Sequence, residues 1–187
     1  MAPPPAWAAG AAGLAFDGLV LSFQLYLPAA GVAPGVPPPS LGAVRPRPGP
    51  GGEYLVPLRE DEAVWIGLVR EGRGAAPRLA ALGWLGGHAH DLRSGRRVAA
   101  GRAPTPACAP VETWPGLKRR RGGWRPFALA EAGGCERLEF RAARDGGPGF
   151  ARARVRLVPP AEFEARTGCP APPPADPAAG YRGWRLP

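Results

Sequence analysis

Asparagine is absent from this chain of 187 residues, and lysine, glutamine and methionine each occur once. Histidine occurs twice and serine three times, so the supply of nucleophiles and bases is thin. Ser22, Ser40 and Ser94 are the only serines, and none lies in a G-x-S-x-G elbow. No phosphate-cradling G-x-x-x-x-G-K-[ST] loop occurs, nor a complete G-x-G-x-x-G after a strand. No run of about 18 apolar residues is present, which excludes a membrane-spanning helix. Three cysteines, Cys108, Cys135 and Cys169, are too few for a disulfide-dense scaffold and form no C-x-x-C. They read as three reduced thiols, or as one disulfide with a leftover thiol. The N-terminus lacks the basic region of a secretory signal, so the expected compartment is cytoplasmic.

Alanine, glycine and proline fill 90 of the 187 positions, without the Gly-X-Y period of a collagen. Arginine outnumbers lysine 23 to 1, and the formal net charge is +9. A GC-rich coding sequence produces the same skew, so the basicity reads either as coding bias or as function. Residues 1–44 hold no basic residue and one acid, Asp17. The excess positive charge therefore belongs to the rest of the chain. Such a balance favours contact with a nucleic acid or other polyanion, an anionic membrane surface or an acidic protein.

Residues 1–13 read as a flexible Ala/Pro/Gly leader. Leu19–Leu27 alternates strictly, with Leu19, Leu21, Phe23, Leu25 and Leu27 on one face, and predicts a half-buried strand. Residues 28–52 are dense in proline and glycine, which disfavours helix and central strand and implies a long loop. Strands are expected at Tyr54–Leu58 and Ala63–Val69, the second apolar on both faces and so central. Further strands are expected at Leu79–Leu85, His88–Leu92, Arg97–Ala100, Trp124–Glu131, Glu136–Arg144 and Ala151–Leu157. Between two of them, Arg93-Ser94-Gly95-Arg96 fits a hairpin turn. Pro160–Gly168 has a proline near its start, acids in its first turn and glycine at its end, the marks of a short helix. The prediction is a mainly all-β chain: an antiparallel β-sandwich or partly closed barrel over 14–168, with one short C-terminal helix. A Pro-rich C-terminal tail, 169–187, is expected to pack on it.

Three clusters bear on chemistry. Lys118, Arg119, Arg120 and Arg121 lie between Trp114 and Trp124, with Arg125 beyond. Cations attract phosphate and an indole can stack on a base, so this is the candidate polyanion site. Its alternative is a solvated hairpin tip anchored by the tryptophans. Arg152, Arg154 and Arg156 share one face of a strand and would extend the basic surface if adjacent. His88 and His90 share a strand face and are weak metal candidates, since no third histidine exists to complete a site. Glu60-Asp61-Glu62 reads as a solvated acidic turn. No cofactor is implied.

The order of several segments supports a resemblance. Pro57-Leu58-Arg59-Glu60-Asp61-Glu62-Ala63-Val64-Trp65-Ile66 is similar to a PLYQREALWLSF segment. Trp114-Pro115-Gly116-Leu117, then Gly122-Gly123-Trp124-Arg125-Pro126-Phe127-Ala128, is similar to QPWLDG…VRQFVAMPLG. Arg154–Pro159, Glu162-Phe163, Thr167-Gly168 and Pro172-Pro173-Pro174 together resemble VQILNSEYFEHVTG…PPPTP. These segments belong to an uncharacterised family of bacterial and fungal proteins, some fungal members of which are joined to ubiquitin-like segments. The resemblance implies no catalytic residue, and it makes a ubiquitin-like protein one candidate partner. Lys118 stands where that pattern has Asp.

The inventory favours a non-enzymatic interaction or structural domain, a component of a multi-protein assembly with a protein partner. Two alternatives stay open. One is a polyanion or nucleic-acid-binding module. The other is a metal-assisted hydrolase using His88 and His90.

Overall fold

The computed structural model describes residues 6–10, 13–28, 35–71, 77–101, 109–119, 123–130, 133–144, 149–176 and 178. In chain order, the strands begin with β1 (Ala8–Ala9), β2 (Leu14–Phe16), β3 (Leu19–Tyr26), β4 (Gly42–Val44) and β5 (Arg47–Pro48). They continue with β6 (Tyr54–Pro57), β7 (Ala63–Arg70), β8 (Arg78–Leu85), β9 (His88–Asp91) and β10 (Val111–Trp114). The last are β11 (Leu117–Lys118), β12 (Trp124–Arg125), β13 (Arg137–Ala143) and β14 (Ala151–Val158), followed by helix α1 (Pro160–Thr167). No helix among the described residues is long and apolar enough to cross a membrane.

Two six-stranded sheets face each other. The first runs β1-β2-β3-β7-β10, with β4 also pairing β3. The second runs β5-β6-β14-β13-β8-β9. One apolar cluster fills the space between them, drawing Leu19, Leu21 and Phe23 from β3 and Leu138, Phe140, Val155 and Leu157 from β13 and β14. The sheets stay separate, so the outcome is a sandwich and not a closed barrel. Every pairing in the two sheets is antiparallel except β6 with β14, which is parallel. That pairing joins segments about a hundred residues apart, which local alternation cannot register.

β7 is apolar on both sides because both sides are covered. Val64, Ile66 and Leu68 enter the main core, while Ala63 and Trp65 pack with Tyr26 and Ala128 in a second cluster. Among the described residues of the 28–52 segment, proline leaves only short edge pieces: β4 pairs the end of β3 and β5 pairs β6. The expected strand at Trp124–Glu131 shrinks to β12, since Pro126 interrupts it. The one at Arg97–Ala100 shrinks to a single bridge between His90 and Arg97.

Part of the expected leader belongs to the fold. Trp7 is 6% exposed, 5.4 Å from the Phe16 ring, and its indole donates to the Ala151 carbonyl. A large aromatic in a run of Ala, Pro and Gly was the signal that this segment has something to bury. At the other end, α1 starts with proline, carries Glu162 in its first turn and stops at Gly168, which is left-handed. Phe163 anchors it on Leu55 and Val158. Beyond it, residues 169–176 lie back on the domain: Arg59 donates to the Pro172 carbonyl and the Ala175 N–H donates to Glu62.

Candidate functional site

The basic hairpin is formed by β11 and β12, with Lys118 opposite Trp124 and Leu117 opposite Arg125. Leu117 is buried and holds the hairpin to the core, while Lys118 and Arg119 are exposed. Trp124 is half-buried beside Lys118, so a cation and an indole share one face of the hairpin. Gly95, left-handed at φ 70°, backs this hairpin: a Cβ there would clash with the Lys118 carbonyl oxygen. Arg125 donates to the Gly133 carbonyl at 2.7 Å. Arg120 and Arg121 lie outside the described residues. Trp114 is not part of this surface. It is 3% exposed and stacks on Phe140 at 6.4 Å, so its indole serves the core.

Arg152, Arg154 and Arg156 stand on the outer face of the second sheet, because Ala153, Val155 and Leu157 fill the core. Across the strand pair they meet Arg141, Glu139 and Arg137 in register. Glu139 is the hub. Its Oε1 takes Arg141 Nε at 2.5 Å and Arg152 Nε at 3.0 Å. Arg141 is 1% exposed, donates to the Ala100 carbonyl and lies 5.5 Å from the centre of the Phe150 ring. Arg152 approaches the same ring at 5.8 Å. Arg156 pairs with Glu162 at 3.2 Å and Arg137 with Glu136 at 3.6 Å. Arg154 is exposed and has no hydrogen-bond or ion-pair partner among the described residues. No ion pair, hydrogen bond or ring contact among the described residues joins these arginines to Lys118, Arg119 or Arg125.

Alternation along Glu136–Arg144 sets Glu139 and Arg141 on the strand face opposite Leu138 and Phe140, away from the main core. Their burial was not legible, because the cover comes from the segment after β9, whose Ala100 carbonyl meets Arg141.

His88 is exposed and His90 half-buried on β9, where the His90 Nδ1 lies 3.3 Å from the Gly95 carbonyl oxygen. Asp91 accepts from both the backbone N–H and the hydroxyl of Ser94, each at 2.8 Å, and so braces the turn. Ser94 thus bonds an acid and not a histidine. No group of three His, Cys, Asp or Glu among the described residues could hold a metal ion. Ser40 donates to Gln24 at 2.7 Å under the edge of the first sheet.

Glu62 corrects the reading of a solvated acidic turn. It is buried, accepts from the Arg59 N–H at 2.9 Å and holds Ala175 N–H at 2.9 Å. Burial pushes the Cys135 thiol up to about 11, so it stays protonated and unreactive near neutrality. Cys135 and Cys169 are free thiols, and Cys108 lies outside the described residues. A shallow cavity of about 270 Å³ between Trp7, Tyr54, Glu53 and Arg152 is smaller than the usual small-ligand pocket.

Comparison with protein families, curated proteins and solved structures finds no match for this chain.

Proposed function

We propose that this chain is a non-enzymatic interaction domain, one component of an assembly, which presents the outer face of β14 to an acidic protein surface. The observation that supports it most directly is Arg154. It projects from an inner strand of the second sheet, flanked two residues away on each side by another arginine, about 6.6 Å apart along the strand. Its neighbours are fixed by Glu139 and Glu162, so the file is ordered before a partner arrives. The resemblance to a family with ubiquitin-like fusions makes a ubiquitin-like protein the first candidate.

The test is recovery of partners with the tagged chain and with Arg154→Glu, at low and high salt. One discrete protein retained by the parent and lost from Arg154→Glu supports the proposal. Equal recovery by both chains overturns it.

The second reading, a polyanion-binding module, is favoured by the pairing of Lys118 with Trp124 on one exposed face. It expects nucleic acid to be recovered at low salt only, with a salt slope that falls when Arg119, Arg120 and Arg121 become serine. Retention of the slope in that variant removes this reading.

A further inference from the structure

The geometry points to a second binding site on another part of the molecule: a groove for an extended, proline-rich peptide, occupied by the chain's own residues 170–176. The segment reads Pro-Ala-Pro-Pro-Pro-Ala-Asp. Proline fixes φ near −65° and biases the residue before it toward the extended region, so this sequence favours a polyproline helix before it binds anything. Such a helix makes no internal hydrogen bonds, and its main-chain groups remain open to be read.

The groove reads them with side chains from two elements. Ala171 donates its N–H to Glu164 of α1 at 2.9 Å. The Pro172 carbonyl accepts from Arg59 Nη2 at 2.9 Å. Ala175 donates its N–H to Glu62 Oε1 at 2.9 Å. Both alanine N–H groups inside the segment are therefore taken by carboxylates. Beneath Ala171 is an apolar floor of Leu55, Val158 and Phe163, and Ala175 packs against the main core. Small side chains four residues apart face the domain, with prolines between them.

Glu62 makes this more than a tail lying on a surface. Its side chain is 3% exposed, and its Oε1 is shared between Arg59 Nη1 at 3.4 Å and the Ala175 N–H. A carboxyl group so withdrawn from water needs its hydrogen-bond partners. If the tail leaves, Glu62 keeps the Arg59 N–H and guanidinium but loses the Ala175 donor, so its Oε1 is left facing the vacated position. A proline-rich segment of another protein, with small residues four apart, supplies the same donor and fits the same floor. The cis segment competes at the high effective concentration of a short tether, so the site opens to a partner only when the tail gives way.

The experiment uses the full chain and a fluorescent peptide of residues 169–176 with Cys169 replaced by Ser. Ala171→Pro with Ala175→Pro removes both N–H donors from the tail and leaves every groove residue in place. Fluorescence anisotropy is expected to show at least tenfold tighter peptide binding to this double variant than to the parent. Adding Glu62→Gln, or separately Glu164→Gln at the exposed end of the groove, should reverse the gain. Peptide binding that is no tighter in the double variant, or is indifferent to both Gln substitutions, overturns the proposal. Binding that tracks dimer formation in sedimentation gives the groove to a second copy's tail and overturns the assignment to another protein.

Discussion

Arg93 and Glu112 clamp the two sheets together at one edge of the sandwich. Arg93 follows β9 in the second sheet, Glu112 sits on β10 in the first, and their two contacts measure 2.7 and 2.8 Å. Arg93 also donates to the Leu79 carbonyl and lies 5.9 Å from the centre of the Trp114 ring. Planar, bidentate pairing of this kind is specific to arginine. Both side chains are about four-fifths withdrawn from water. Arg93→Lys keeps the charge and loses the fork, and should cost about 2 kcal/mol in urea unfolding, between exposed and buried pairs. A cost below ~0.5 kcal/mol would place the pair with ordinary surface contacts.

On the basic face, neighbouring charges should behave oppositely. Glu139→Ala removes the buried carboxylate oxygen that Arg141 and Arg152 share and should cost about 1.5–3 kcal/mol. Arg154→Ser touches no partner among the described residues and should change stability by less than ~0.5 kcal/mol. Equilibrium unfolding of the two variants separates structural charge from charge left free for a partner. Equal losses would contradict the proposed division of labour along β14.

The Asp17–Gly18 turn offers a backbone test. Asp17 has φ 45° and Gly18 has φ 77°, the left-handed pair of a two-residue hairpin between β2 and β3. A Cβ on Gly18 would meet the Glu71 carbonyl oxygen at 2.8 Å. Gly18→Ala should therefore lose about 1–2 kcal/mol, through strain and contact together. Asp17→Asn keeps left-handed tolerance and loses only the exposed pair with Arg144, so thermal unfolding should shift far less.

Local signals made much of this fold legible. The alternation of Leu19–Leu25 and of Ala151–Leu157 named their buried faces, and Pro160 with Gly168 bounded the helix. What local signals could not supply was cover from distant segments. Ser22, Gln24 and Tyr26 occupy the face of β3 that alternation left to solvent, yet all three are buried. Ser40 returns from the Pro-rich segment to meet Gln24 there. For the candidate site, composition found the arginines and register showed which remain available. The groove that holds residues 170–176 depends on Arg59 and Glu62, more than a hundred residues away, and no spacing rule connects them.

Tyr26 tests the second apolar cluster. Its hydroxyl is buried among Ala63, Trp65 and Ala128 and has no hydrogen-bond partner among the described residues. Burial without a partner raises its pKa from 10.0 to about 12. A raised folded pKa means that the native state holds its proton longer than the unfolded chain does. Stability from this group is thus complete below pH 10 and declines as pH climbs toward 12. Tyr26→Phe removes the unsatisfied hydroxyl and keeps the ring, so it should be neutral or stabilising by about 1 kcal/mol near pH 7. It should also flatten the fall in stability between pH 10 and 12. Urea midpoints of the parent and Tyr26→Phe across that range measure both effects. A large loss at neutral pH would mean that the hydroxyl finds an acceptor in solution; donation to it favours the protonated form, so the flattening would remain and the loss at pH 7 alone would decide.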